Sequence, residues 1–372
     1  MKLGLQLGYW GAQPPADALE KIVEAERLGF DIVFTAESWG SDAFSPLAWW
    51  GASTSRIKLG TSIVQMSART PTATAMAALT IDHLSGGRMV LGLGLSGPQV
   101  VEGWYGQPFG KPLARTREYV DIVRQVLARQ APVTSEGPHF PLPYRGPNSI
   151  GLGKALKPIV HPLRPDIPIL LGAEGPKNVA LTAEIADGWL PIYYSPKVAG
   201  MYRGWLDEGF SRPGARHSAS EFEILPNCSV VVTDDREAVL ESMKPILGFY
   251  IGGMGAKDMN FHKNVFARMG YEKEADQVQD LFFEGRRDEA IAAVPLQMVA
   301  DISLVGTRQQ IRDELPMWEE AGVTTIVVGA RSLEEMRPRS RCRSCRADRP
   351  GVSRGCRATT TSTCRAPRPT PS

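Results

Sequence analysis

The residues that could do chemistry in this chain stand where apolar runs turn polar. They are Tyr9 and Trp10; Glu37, Ser38 and Trp39; Ser62, Ile63 and Gln65; Ser96 and Gly97, with Glu102 and Trp104 just beyond; Gly172, Ala173, Glu174 and Gly175; and Tyr193 and Tyr194. The set is aromatic and poor in acid–base side chains, which suits a flat conjugated ligand better than a metal or a hydrolytic triad. The His residues His83, His139, His161, His217 and His262 are scattered and unpaired at ligand spacing, and no nucleophile elbow occurs, so no metal site is expected. Gly172 to Asn178 brings backbone N–H groups and Lys177 to the start of a helical pattern, a candidate phosphate cradle. The same Gly and Pro also serve turn geometry alone, and both readings stand. The Gly92-Leu-Gly94 pair is not a dinucleotide fingerprint, because its third Gly falls out of register.

Each of these turns follows a short β-branched run. Leu3–Leu7, Phe30–Thr35, Ile57–Val64, Met89–Leu95, Ile167–Gly172, Gly188–Ile192, Glu221–Val232 and Thr324–Gly329 read as eight strands. Helical patterns lie between them, among them Ala16–Leu28 stopped by Gly29, Thr72–Leu84 opened by Pro71, and Arg117–Arg129. Two stretches break the alternation: a Pro-rich excursion over about 131–166 and a mostly helical one over about 248–300. The pattern predicts a single α/β domain over 1–336, a (β/α)8 TIM barrel with insertions, in which ligands sit beyond the carboxyl ends of the strands. An open doubly wound sheet is the alternative. Trp49, Trp50 and Trp189 are expected to pack helices against the barrel.

The chain has 372 residues, 43% hydrophobic and 22% charged, an ordinary globular composition with no run long enough to span a bilayer. Its net charge of +2 hides a division. Residues 337–372 hold ten Arg and one Asp, so +9, which leaves −7 for the rest. A mildly acidic body argues against nucleic acid as a partner. The tail also holds four of the five Cys residues; Cys228 is alone in the body. A body with one Cys and no signal peptide suits the cytoplasm. The tail reads as disordered, and translation out of frame near Glu335 is a second account of its abrupt change to Arg, Pro, Thr and Cys.

Several segments carry a family likeness: Lys58-Leu-Gly-Thr-Ser-Ile-Val64, Ala77-Ala-Leu-Thr-Ile-Asp-His-Leu-Ser-Gly-Gly-Arg88, Gly172-Ala-Glu-Gly-Pro-Lys177, Glu184-Ile-Ala-Asp-Gly-Trp-Leu-Pro191 and Val305-Gly-Thr307. With them, Met1 to about Ala330 resembles the luciferase-like monooxygenase superfamily, specifically its coenzyme F420-dependent oxidoreductases. The resemblance implies an interrupted TIM barrel and a homodimer. It implies a cis peptide at Ser62–Ile63 backing the deazaflavin ring, with Glu37, Ser38, Ser96 and Gly97 bonding the ring and ribityl chain. Gly172, Ala173, Glu174, Gly175, Lys177 and Asn178 would take the phosphate. Sugar-phosphate dehydrogenases of the family carry His at the second strand tip and Glu after the fourth-strand Gly. Here those places hold Ser38 or Trp39, and Pro98, so the expected small-molecule substrate is larger and hydrophobic, held by Trp10, Trp39 and Trp104. Glu37, Tyr9 and Glu102 are the candidates for proton transfer, and an exposed loop carboxylate is the other reading of Glu102. An FMN-dependent monooxygenase and a non-catalytic flavin-binding protein are the competing functions.

Overall fold

The computed structural model describes residues 1–7, 10–330 and 332–336. Seven parallel strands follow one another through β1 (Lys2–Gln6), β2 (Ile32–Thr35), β3 (Lys58–Thr61), β4 (Met89–Gly94), β5 (Ile169–Leu171), β6 (Gly188–Trp189) and β7 (Glu223–Ile224). Past a break at residues 62–63, β3 resumes as Val64–Gln65, still paired with β4. The expected strand over Glu221–Val232 is divided. Pro226 has no N–H for a ladder, and after Asn227 and Cys228, which still meet Val327, the chain leaves the barrel. Its second half, β8 (Ser229–Val232), pairs instead with β9 (Ser303–Gly306), a strand the sequence reading did not place. The last strand, β10 (Thr325–Gly329), pairs with β1 and bonds back to the β7 side through Val327 N–H to Pro226 O (3.0 Å) and Cys228 N–H to Val327 O (2.9 Å). Eight parallel strands thus close on themselves, and the (β/α)8 barrel expected from the sequence is the fold observed.

Alternation sorts the side chains. Ile32, Phe34, Val90, Leu170 and Val327 fill the lumen, while Leu5, Val33, Leu59 and Leu91 face the surrounding helices. Those helices start and stop where the sequence indicates. In α1 (Ala18–Leu28), Gly29 at φ 88° donates its N–H to Ala25 O. In α3 (Pro71–Ser85), Thr70 caps Ala73 N–H and Pro71 opens the first turn. Between them lies α2 (Phe44–Gly51). Glu26 on α1 accepts N–H bonds from Ser55, Arg56 and Ile57, which fixes the amino end of β3.

Two of the segments that carry the family likeness, Ala77–Arg88 and Glu184–Pro191, are staples at the amino-terminal end of the barrel. Arg88 donates to Gly51 O, Thr54 O and Ile57 O, and Asp82 takes two nitrogens of Arg164. Asp187 receives Arg124, Arg216 and Ile169 N–H. The helices α4 (Pro98–Gly103), α5 (Pro112–Ala128), α6 (Pro176–Ile185) and α7 (Ala199–Phe210) continue the outer ring. The first excursion, 131–166, is a strap across the ends of α3 and α5. The second extends α8 (Arg236–Gly253) into α9 (Phe261–Phe266), α10 (Glu272–Phe283), α11 (Arg287–Ala292) and α12 (Leu296–Ala300). Then α13 (Arg308–Glu320), opened by a Thr307–Gln310 capping box, leads to β10, and α14 (Leu333–Met336) follows it. No described helix is long and apolar enough to cross a membrane. The expectations of disorder or frame shift concern residues 337–372, which lie outside the described residues.

Candidate active site

The carboxyl ends of β2 to β5 converge on Ile63. The Ser62–Ile63 peptide is cis, Ser62 N–H donates to Thr35 O (2.6 Å), and Ile63 O accepts Glu37 N–H (3.1 Å). The Ile63 side chain is seated over two glycines: a methyl group on Gly94 would lie 2.7 Å from Ile63 Cδ1, and one on Gly172 would lie 3.3 Å from its Cγ2. At Gly92 the neighbour is backbone, Thr61 O at 1.8 Å from a would-be Cβ. The glycines of β4 therefore admit a neighbouring strand rather than a ligand directly. Beside this ledge Gln65 Oε1 and Ser67 Oγ are buried with no hydrogen-bond partner.

Glu37 sits in an ion pair with Arg69. It is 5% exposed, both its oxygens are held by Arg69 at 2.7 and 2.9 Å, and Oε2 also accepts Gln65 N–H (2.9 Å). The pair ties the tip of β2 to the continuation of β3. Tyr9 lies outside the described residues. Glu102, on α4, is exposed and accepts Phe109 N–H (3.3 Å). Ser38 O receives the Tyr105 hydroxyl at 3.5 Å. Ser96 takes φ 63°, and Gly97 is the N-cap of α4.

The β5 turn, Gly172 to Gly175, leads into α6 with Gly175 at its N-cap and Pro176 at the first position. Gly172 N–H bonds Leu93 O, and the indole of buried Trp189 donates to Ala173 O (2.7 Å), so the turn is fixed from both sides. The Lys177 side chain is exposed and Asn178 half-buried. Glu174 points elsewhere: its Oε1 lies 2.8 Å from His262 Nδ1 at the start of α9, and its Oε2 is buried without a partner. His262 is flanked edge-on by Tyr193 (6.2 Å) and Tyr250 (5.0 Å). Its neighbour Phe261 stacks at 6.4 Å on Phe109, which lines a small cavity with Met66, Ser67 and Leu95. The first turn of α9 thus reaches both the β5 turn and the loop beyond β4. In sequence His262 is one of five scattered histidines with no partner at ligand spacing; only the fold brings it to a strand tip. Tyr194, placed among the ligand aromatics, is instead buried, stacked on Tyr202 at 4.7 Å and bonded to Ala321 O.

Trp10 lines a cleft of about 510 Å³ between residues 10–14 and 40–49. Trp49 shares it and is 60% exposed, which overturns its expected role in helix packing; Trp50 and Trp189 are buried as expected. Trp39 and Trp104 stand exposed on adjoining loops, and no ring contact joins them to Trp10 among the described residues. Nor do three metal-ligating side chains converge there.

A closed parallel barrel with a glycine-backed apolar ledge at its carboxyl mouth defines a class: TIM-barrel proteins that take a flat ligand beyond their strand tips. The family model for luciferase-like monooxygenase matches residues 4–325, and the chain belongs to that family. A Mycobacterium tuberculosis protein named "Putative coenzyme F420-dependent oxidoreductase" is 65% identical over 91% of this chain and 97% of its own length. The 5,10-methylenetetrahydromethanopterin reductase of Archaeoglobus fulgidus is 30% identical over 82% of this chain and 87% of its own. Among solved structures, an F420-dependent secondary alcohol dehydrogenase with an F420–acetone adduct superposes with a TM-score of 0.69 at 18% identity, covering 90% of this chain and 94% of that one.

Proposed function

We propose that the protein is an oxidoreductase that moves a hydride between coenzyme F420 and a hydrophobic organic substrate. The ledge at Ile63 carries this reading, since it offers an apolar seat beside unpaired polar atoms, as a flat ring with polar edges requires. The residues fit the coenzyme in two respects. Gly94 and Gly172 make room for the Ile63 side chain to lie flat against them as the seat, and Gln65 Oε1 and Ser67 Oγ are buried atoms lacking protein partners. Bound there, F420 supplies the carbon that accepts or donates hydride. Ser62 and Ile63 would back its ring, with Ser38, Ser96 and Gly97 beside it. The backbone N–H groups of the Gly172–Asn178 turn, with Lys177, would hold its phosphate. Glu174 would act there through its backbone, because its carboxylate faces His262. The identity to the mycobacterial protein named for F420 supports the assignment.

With Glu37 committed to Arg69, His262 beside Glu174 is the group we assign to moving the substrate proton. Glu174 Oε1, 2.8 Å from Nδ1, sets a carboxylate charge beside the imidazole, although the two are not aligned for a hydrogen bond. Trp10 and Trp49, with Trp39 and Trp104 on the rim, would receive the substrate. The protein is further proposed to work in the cytoplasm as a homodimer. Fluorescence titration with F420 and FMN tests the core of the reading. F420 should bind at least about tenfold more tightly, a difference of about 1.4 kcal/mol. Preference for FMN would place the protein with the family's oxygen-activating members. His262→Asn should keep the F420 affinity and lower turnover about 10²–10⁴-fold.

A further inference from the structure

The cleft between residues 10–14 and 40–49 combines two indoles with a single charge. At about 510 Å³ it falls in the size range of small-molecule sites, and Asp42 is the one charged side chain among its described lining residues. Asp42 Oδ1 accepts the N–H groups of Phe44 (2.8 Å) and Ser45 (2.9 Å), which fixes the carboxylate at the start of α2. Burial alone would raise its pKa, but the N–H and hydroxyl of Ser45 and the N–H of Phe44 overcome it. The carboxyl is held below its ordinary range and is charged at neutral pH. Among the described residues no ion pair engages Asp42. Arg69, whose field reaches it, is bound to Glu37 at 2.7 and 2.9 Å and stands over the Phe44 ring. Nor does any Arg or Lys stand over the ring of Trp10 or Trp49 among the described residues. The cleft thus presents a cation's surroundings without a cation of its own.

We infer that this cleft selects a substrate bearing a quaternary ammonium or protonated amine group, seated against Trp10 and Trp49 with Asp42 as its counter-charge. The inference names a substrate class for the hydride-transfer reading above, and rests on that reading for calling the occupant a substrate. An indole presents the negative side of its quadrupole at the ring face and attracts a cation there. A neutral group of the same shape gains the apolar contact but leaves Asp42 unanswered, and an anion meets like charge. Two partly exposed rings should favour the cation over its neutral isostere about 5- to 30-fold. The acidic body of the chain, −7 over residues 1–336, draws cations in the same direction. The cleft is built from the loops after β1 and β2, at the same mouth as the Ile63 ledge. The cationic group is therefore an anchor for the rest of the molecule and takes no part in the hydride step.

Probes of one shape and different charge test this on the full chain without added coenzyme: choline, its neutral isostere 3,3-dimethylbutan-1-ol, and the anion 3,3-dimethylbutanoate. Binding is read by tryptophan fluorescence and saturation-transfer NMR. Choline should bind at least about fivefold more tightly than the alcohol, and the anion most weakly. Asp42→Asn removes the charge but keeps an acceptor oxygen for the Phe44 and Ser45 N–H groups, and it should abolish the preference. Trp49→Leu, at a position that is 60% exposed, should reduce the preference about 2- to 5-fold, and decides the matter if Asp42→Asn does not fold. No binding of choline, equal affinity for choline and the alcohol, or a preference that survives the deciding variant overturns the inference. Failure of F420 to bind in the separate titration would instead refute the hydride-transfer reading and leave the charge preference of the cleft as measured.

Discussion

At the tip of β2, buried Glu37 meets the partly exposed Arg69 in two hydrogen bonds, and removing the arginine leaves the carboxylate buried without its charge partner. Arg69→Met should therefore cost about 3–5 kcal/mol, read as a shift in the urea midpoint at constant slope. Glu37→Gln should cost less, because the amide still offers an acceptor to Gln65 N–H. An unchanged midpoint for Arg69→Met would show the pair to be solvated. The pair touches no reacting atom in the proposed scheme; it positions the ledge by tying Gln65 to β2. Gly94 acts on the ledge directly. Its added methyl in Gly94→Ala would press on Ile63 Cδ1 at 2.7 Å, a contact that a side chain can relieve only by tilting the seat. F420 affinity should fall about tenfold while the circular dichroism is retained. Gly92→Ala meets backbone instead, Thr61 O at 1.8 Å, and should lower stability before it affects binding.

Among the elements, the amino ends of β5, β6 and β7 meet in one charged cluster around Asp187. Burial alone would raise the Asp187 pKa, but Arg124, the Ile169 N–H and Arg216 overcome it and hold the carboxyl at about 2. Its ordinary value is 3.8, so the folded state binds the proton more weakly than the unfolded chain. The stabilisation is present above pH about 4 and is lost as pH falls towards 2; at 1.36 kcal/mol per pH unit it amounts to about 2 kcal/mol. Urea melts between pH 6 and 2.5 should show that decline, and Asp187→Asn should flatten it; a slope unchanged by the substitution would place the acid sensitivity elsewhere. This cluster also explains what the sequence could tell. Strand and helix order was legible because Gly and Pro punctuate it, as at Gly29, Pro71 and Pro176. The Glu184-to-Pro191 and Ala77-to-Arg88 segments marked the family correctly, yet they hold the end of the barrel opposite the site. The division at Pro226 and the strand at Ser303–Gly306 were not legible, because β8 and β9 pair over about seventy residues of intervening chain. His262 was missed for the same reason: its partner Glu174 lies on another element, and no local spacing announces the contact.

For the whole molecule, the question is how much of the chain the barrel needs. The family match ends at residue 325, and the mycobacterial relative covers 97% of its own length within 91% of this one. The bonds that close the barrel lie before that boundary or just beyond it. They are the β1–β10 ladder from Lys2–Thr325 to Gln6–Gly329, and the Val327 and Cys228 bonds that join β10 to the β7 side. The side chain of Met336 packs against the core, with α14 lying on α1. A chain ending at Met336 keeps every one of these contacts and sheds ten Arg, one Asp and four Cys. Its formal charge passes from +2 to −7, so it should move from weak retention on a cation exchanger to retention on an anion exchanger at pH 7. Its melting temperature should stay within about 2 °C of the full chain, since a loss of 1 kcal/mol in a domain of this size shifts it by about that much. The F420 dissociation constant should be unchanged. A fall of 5 °C or more on truncation would mean that residues after 336 complete the fold, and the boundary drawn from composition at Arg337 would have to be abandoned.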